Sequence, residues 1–362
     1  MTPFDSNPHI SVIVPVLNEA QLLPELFRTL AGQKDVTLEV AISDGGSTDG
    51  TPELARRLAE EHRLSVTVVS GGQGRGRQMN AGAAVSRGPT LLFLHADSTF
   101  TDSFALRKGL DALDAAVAAQ GSEGVAGHFA LRFNRSTGTP SLGYYYYECK
   151  ARLDLRECTH GDQGFLMRRG FFQCVGPFDE SLPMVAETRL AEAIRLRGKW
   201  LLLPAEINTS ARRLETEGLW ERQTLNAILM NFAAMGWEPF FREIPRLYQV
   251  QDRTRRLQLF PLLLEISRLI HALPLRERFS LWHTTGAYVR RNAWQLAFFF
   301  DVRRNFRRGL PPGEGNTPIL AFYDRYLDLL TDHPPGRLAA ACLTWLWFRV
   351  TRLYTVVKGK GY

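Results

Sequence analysis

Within its first hundred residues the chain alternates short β-branched runs with helical stretches, and nothing else in it constrains the fold as strongly. Ile10–Val16 reads ISVIVPV, an almost unbroken apolar run that predicts a strand covered on both faces in a parallel sheet. A helical pattern follows over Glu19–Ala31, with Leu22, Leu23, Leu26, Phe27 and Leu30 on one face. Leu38–Asp44 predicts the second strand. Thr51–His62 predicts a helix, with Thr48 and Asp49 as N-caps and Pro52 in its first turn. Leu64–Ser70 is the third expected strand, Arg77–Ser86 the next helix and Thr90–Asp97 the fourth strand. Strands separated this regularly by helices imply right-handed crossovers and a doubly wound, mostly parallel α/β sheet. Further strands are expected at Gly124–Phe133, at Gly161–Arg169 and over Lys199–Ile207, the last after a helix at Ala186–Arg197.

Beyond Trp220 the texture changes to long Leu/Phe/Arg-rich segments of helical pattern, with breaks expected at Pro245, Pro261, Pro274, the 309–318 loop and Pro334–Gly336. The division expected is therefore 1–215 for an α/β domain and 216–362 for an appended helical region. Charge divides in the same way. Residues 241–362 hold 20 Lys and Arg against 9 Asp and Glu, so the net +7 of the whole chain masks a basic C-terminal part and an acidic remainder. The longest apolar stretch there, Leu338–Phe348, ends at Arg349 and is too short to span a bilayer. Aromatic residues beside arginines, as in TWLWFRVTRLY, suit helices lying on an anionic membrane surface. A soluble helical subdomain, or a helical homodimer interface, is the competing use.

With 45% apolar and 22% charged residues in 362, the chain can bury a large core, which excludes wholesale disorder. The leader MTPFDSNP has neither a basic start nor an apolar stretch. The four cysteines include no Cys-x-x-Cys pair, so reduced thiols in a cytoplasmic protein are expected rather than a disulfide framework or a zinc site. The pI of about 9.4 comes with no nucleic-acid-binding motif, and no nucleic-acid partner is expected.

In an open parallel sheet, ligands bind outside the carboxyl ends of the strands. Here those ends carry Pro15, Asn18 and Glu19; Asp44 and GGSTDGT; the Gly71–Gly76 loop; and His95-Ala96-Asp97. Such a set suits a nucleotide diphosphate. Asp44 can accept from a base N–H and Glu19 from a base or ribose hydroxyl. Gly45 and Gly46 allow close backbone approach. Asp97 is a hard oxygen ligand for Mg²⁺ or Mn²⁺ held jointly with the diphosphate.

Taken in order, VIVPVLNE, SDGGSTDGT, GRGRQMNAGAAVSRG, LLFLHADS, GDQGFLMRRGFFQCVGPFDE and TSARR resemble glycosyltransferase family 2, the inverting enzymes of GT-A fold. GRGRQMNAGA and LFLHAD are most similar to the subfamily associated with arsenosugar-type biosynthesis. The resemblance spans about residues 9–215 and does not reach the helical region. It implies a nucleotide-diphosphate sugar as donor and an Asp-x-Asp-type metal motif in which His95 replaces the first acid and Asp97 keeps the second. It implies that Asp44 contacts the base, although Gly45 stands where a second acid is common. Arg75, Gln78 and Asn80 match the segment that closes over the nucleotide, with Arg75 toward the diphosphate. Arg212 and Arg213 match a loop that closes on the same group with bidentate contacts.

An inverting transfer needs a carboxylate to take the acceptor proton. Glu187 falls where the second acid of the family's pair belongs, with Ala186 in place of the first. Asp162 and Asp179 are reserves, Asp162 being better suited to touch the donor sugar or acceptor. Plainer roles compete at several of these positions. Arg75 and Arg77 are also read as solvated loop arginines, Asn80 as a helix packing residue, and Glu187 as a favourable first-turn acid. The whole-chain alternatives are a nucleotidyltransferase, which normally carries a phosphate loop where this chain has VLNEAQ, and an inactive binding scaffold. A lipid or amphipathic acceptor at the inner membrane face is the partner expected of the basic region.

Overall fold

In the computed structural model, residues 7–181, 185–251 and 256–359 are described. Two compact units form, one from Met1–Arg135 with Tyr147–Ser210 and the other from Ser136–Tyr146 with Ala211–Tyr362.

The first unit is built on an eight-stranded sheet. Its strands are β1 (Ile10–Val16), β2 (Leu38–Asp44), β3 (Ser65–Ser70), β4 (Thr90–Phe93), β5 (Ser98–Thr99), β6 (Val125–Asn134), β7 (Phe165–Arg168) and β8 (Lys199–Ser210), in the order β3-β2-β1-β4-β7-β6-β8-β5. The first four are mutually parallel, and β6 runs parallel to β8. β7 is antiparallel to both of its neighbours. The helices are α1 (Leu23–Ala31), α2 (Thr51–His62), α3 (Arg75–Val85), α4 (Ala105–Gln120), α5 (Leu142–Lys150, whose residues up to Tyr146 belong to the second unit), α6 (Arg169–Val175) and α7 (Ala186–Arg197).

Side chains alternate across a strand, so each central strand supplies two cores. Ile10, Val12, Val14 and Val16 of β1 pack with Val40, Ile42 and Leu92 against α1, α2 and α4. Ile13, Ala41, Leu91 and Phe93 point the other way, into a second core with Met79 and Ala83 of α3, Phe171 and Phe172 of α6, and Leu190 and Ile194 of α7. Gly82 lets α3 lie directly on β1, because a Cβ there would sit 2.5 Å from Ile13. The apolar run of β1 is thus explained by burial on both faces.

Three boundaries differ by four residues from the sequence reading. The fourth strand stops at Phe93, after which Leu94 makes one last bond to Ile13 at 2.9 Å and the chain leaves the sheet. The first helix starts at Leu23, because Glu19–Leu22 form a turn tied to the neighbouring loop and Pro24 opens the helix. The strand expected from Gly161 starts at Phe165. It is preceded by a 3-10 turn over Gly161–Gln163 and by Gly164, whose φ of 66° lies in the left-handed region.

The second unit is helical: α8 (Arg212–Glu217), α9 (Leu219–Met235), α10 (Glu238–Gln251), α11 (Leu259–Ala272), α12 (Leu275–Arg291), α13 (Trp294–Arg307), α14 (Pro318–Phe322), a π-turn over Tyr323–Leu327, α15 (Asp328–Thr331) and α16 (Pro334–Gly359). Phe232, Phe240, Leu262, Leu263, Ile266 and Phe298 are among its buried side chains. Pro245 does not break α10, which runs through it, and Pro261 lies in the first turn of α11, where a missing N–H costs nothing. Among the described residues, no helix is long and apolar enough to cross a membrane.

Candidate active site

The parallel strands place the carboxyl ends of β1, β2 and β3 side by side, with Val16, Asp44 and Ser70 in register. The loops leaving them are bound to one another. The Asn18 N–H donates to Ser47 Oγ at 2.8 Å and its Oδ1 accepts from the Thr48 N–H at 2.8 Å, with Asn18 itself in the left-handed region at φ 56°. The Glu19 N–H donates to Thr51 Oγ1 at 3.0 Å. Asp44 folds its carboxylate onto its own turn, accepting from the N–H groups of Gly46 at 2.9 Å and Ser47 at 3.1 Å. Pro15 lies inside β1 opposite Ser43.

Gln78 and Asn80, matched above to the nucleotide-closing segment, have their amides engaged in the fold. Gln78 is buried and donates through Nε2 to the carbonyls of Val16 at 2.7 Å and Ser43 at 2.9 Å, latching α3 across the ends of β1 and β2. A Cβ on Gly45 would stand 3.1 Å from the same amide. Asn80 grips the Phe178–Glu180 turn. Its Nδ2 donates to the Phe178 carbonyl and to Glu180 Oε1, and its Oδ1 accepts from the Phe178 N–H, each at 2.9 Å. Asp179 caps the same turn by accepting from the Ser181 N–H at 2.9 Å. Leu182–Met184, within the stretch read for the catalytic acid, lie outside the described residues.

A charged cluster stands beyond β4. Glu187, in the first turn of α7, is buried and holds two partners. Arg75 Nη1 donates to its Oε2 at 2.9 Å, and His95 Nε2 lies 2.5 Å from its Oε1. Burial pushes the Glu187 carboxyl pKa up, but the Arg75 guanidinium and the His95 ring outweigh it and hold the group well below the usual carboxylate range. Arg75 is raised in turn, first by Glu187, with Asp97 and Asp162 acting in the same direction. Asp162 goes the other way. Burial, with the nearby charges of Glu187 and Asp97 adding to it and His95 opposing, pushes its pKa up to about 6, and its Oδ1 has no hydrogen-bond partner. Asp97 is placed by its backbone, whose carbonyl accepts from the Ser210 N–H of β8 at 3.2 Å.

Arg75, His95, Asp97, Asp162 and Glu187 thus come together from α3, the β4–β5 link, the 3-10 turn and α7. Arg212 and Arg213 open α8 in the other unit, with Arg213 Nε 3.8 Å from Glu217. Among the described residues no group of three or more His, Cys, Asp or Glu could enclose an ion. A hard divalent cation beside Asp97 would instead take most of its ligands from phosphate oxygens and water.

Sequence reasoning missed one member of the cluster. A Cβ on Gly161 would lie 2.0 Å from Glu187 Oε1, so only glycine lets that carboxylate occupy its place. The signal was present in HGDQG, as a glycine directly before a candidate acid. Gly161→Ala is expected to displace Glu187 from Arg75 and His95 and to cut turnover by roughly 10–100-fold, since a misplacement of about 1 Å is enough. Steady-state kinetics beside a melting curve would check this, with the melting temperature expected to change little.

Known proteins match about half of the chain. The model of the family described as Glycosyl transferase family 2 matches residues 11–176. A "PGL/p-HBAD biosynthesis glycosyltransferase" of Mycobacterium bovis (strain BCG / Pasteur 1173P2) is 31% identical over 187 residues, covering 50% of this chain and 67% of the relative. The chain belongs to glycosyltransferase family 2. "Succinoglycan biosynthesis protein ExoA" of Rhizobium meliloti is also 31% identical, over 180 residues, 47% of this chain and 53% of that one. Among solved structures, a mannosyltransferase from Pyrobaculum calidifontis in complex with GDP-Man and Mn²⁺ is similar over 98% of this chain and 87% of its own, at 19% identity and a TM-score of 0.47. As a family 2 glycosyltransferase the protein has the GT-A fold, with a helical region appended. Glu187, α7 and β8 lie beyond the segment matched by the family model.

Proposed function

We propose that this glycosyltransferase moves a sugar from a nucleotide-diphosphate donor to an acceptor hydroxyl with inversion at the anomeric carbon. The observation that carries the reading is the cluster of Arg75, His95, Asp97 and Asp162 around the buried Glu187, outside the strand ends. The nucleoside lies against the Asn18–Glu19 and Asp44–Ser47 loops, whose mutual hydrogen bonds hold them ready. Asp97 holds Mg²⁺ or Mn²⁺ together with the diphosphate. When bound, the ion offsets negative charge on the leaving diphosphate. Arg75 Nη1, a half-exposed cation already beside Glu187, turns to the diphosphate oxygens. Glu187, relieved of the guanidinium, then takes the acceptor proton on Oε2. His95 keeps hold of Oε1 and so fixes the carboxylate during that transfer. Asp162, beside Glu187 and Asp97, contacts the sugar or the acceptor. Support for the donor class comes from membership of glycosyltransferase family 2.

Residues 216–362 present a lipid or amphipathic acceptor at the inner membrane face, a reading supported by the basic, aromatic-rich composition of that region. The reaction is tested by incubating the protein with a panel of nucleotide sugars and Mn²⁺ and following nucleoside diphosphate release. The anomeric proton of the product is then examined by NMR. Inverted configuration is expected. A retained configuration would mean that Glu187 does not act as the base in a single displacement.

A further inference from the structure

The last helix is apolar on two opposite faces, and only one of them is used by the fold. Ala341, Phe348, Thr351 and Thr355 of α16 are buried. They face α12 and α11. Phe348 packs on Trp282 with ring centroids 5.8 Å apart, and Arg352 Nη1 donates to Ser267 Oγ at 2.6 Å. Gly286 of α12 brings that helix so close that a Cβ there would lie 2.6 Å from Ala341 Cβ. On the far side, Leu343, Leu346, Val350, Leu353 and Val357 recur at intervals of three and four and form one stripe. Each is between 53% and 73% exposed.

We infer that this outward stripe of α16 is a docking surface for an anionic lipid bilayer. Charge decides between that occupant and a second copy of the chain. Pro334–Gly359 contains no acidic residue, and with Arg352 bonded inward and Arg337 paired with Asp332, Arg349 is the arginine beside the stripe; a second copy packed stripe to stripe offers it no carboxylate from this helix. An anionic headgroup layer compensates Arg349. The flanks fit the same occupant. Arg349 sits 5.2 Å from the ring centroid of Trp345 on one side, and Trp347 and Tyr354 are exposed on the other. Indole, phenol and guanidinium groups settle at headgroup level while the aliphatic stripe enters the acyl boundary. The helix lies in the plane of the surface.

The inference gives a location to the acceptor role proposed above and rests on that reading only for its purpose. It is tested by sedimenting the full-length chain with vesicles of phosphatidylcholine alone, or of phosphatidylcholine mixed equally with phosphatidylglycerol. Binding is expected on the mixed vesicles, weakening as salt rises, with little on the neutral ones. The double variant Leu346→Gln/Leu353→Gln should bind the mixed vesicles roughly tenfold more weakly, since two exposed aliphatic groups are lost from the stripe. Both leucines are exposed, so its melting temperature should match that of the unmodified chain. Protein that stays in the supernatant with mixed vesicles would overturn the inference, as would a stable dimer that the double variant dissociates. Nucleoside diphosphate binding, measured on the same samples, separates a failure of this surface from a failure of the transferase reading.

Discussion

Replacing Glu187 by glutamine is expected to lower kcat for sugar transfer by about 10²–10⁴, the usual contribution of a positioned proton acceptor. Glutamine keeps the shape of the side chain and can still accept from Arg75 and meet His95, so the fold of α7 and the position of the 3-10 turn should be unchanged. It cannot accept a proton. Losing the carboxylate also frees the Arg75 guanidinium, which in the native chain lies 2.9 Å from Glu187 Oε2. Affinity for the nucleoside diphosphate should therefore be unchanged or tighter while turnover collapses. That combination distinguishes a lost base from a damaged pocket, in which both would weaken. A glutamine variant retaining more than about a third of the native kcat would remove Glu187 from the chemistry, because that loss is far smaller than a general base supplies.

Asp162→Asn should do the opposite to stability. Burial pushes the Asp162 carboxyl up to about 6, with Glu187 and Asp97 adding to the shift, so at neutral pH the folded protein holds a carboxylate that its surroundings resist. A carboxyl whose pKa is higher when folded favours the folded state most below its unfolded value, and that advantage is lost as pH rises through about 6. Asparagine carries no charge, so above that pH the variant should be more stable by about 1–3 kcal/mol, and near pH 4 the gain should vanish. Melting temperatures of both proteins across that range would check this. A constant difference at every pH would point to packing instead of charge. Transfer activity should fall in the variant, since an uncomfortable charge kept in a cleft is a mark of a working group.

How much of this was legible in the sequence depended on how local each determinant is. β1, β2, α2 and α7 begin and end where periodicity and Pro52 placed them, because burial on both faces, or an amphipathic stripe, is written directly into neighbouring residues. α4 went unread, although Leu106, Leu110 and Leu113 stand at helical spacing in Ala105–Gln120. The end of the fourth strand was misplaced because Leu94 and Ala96 remain apolar and buried after the chain has left the sheet. Residue types at the strand ends pointed to the cleft. They could not show which of them are consumed by the scaffold. Gln78 and Asn80 have their amides committed to backbone groups 62 and 98 residues away. The union of Arg75, His95 and Glu187 spans 112 residues, and no local pattern encodes it. Nor could the sequence show that Gly161 makes room for Glu187.

The central claim, a nucleotide-diphosphate donor held with a divalent ion at Asp97, is tested most directly by the melting temperature of the protein with UDP, GDP, CDP or ADP, with and without Mn²⁺, repeated on Asp97→Ala. A ligand that binds only the folded state raises that temperature by mass action. The account predicts stabilisation by one of these nucleotides that requires Mn²⁺ in the native chain and disappears in Asp97→Ala. Stabilisation by none of them, or an equal response in Asp97→Ala, would contradict it.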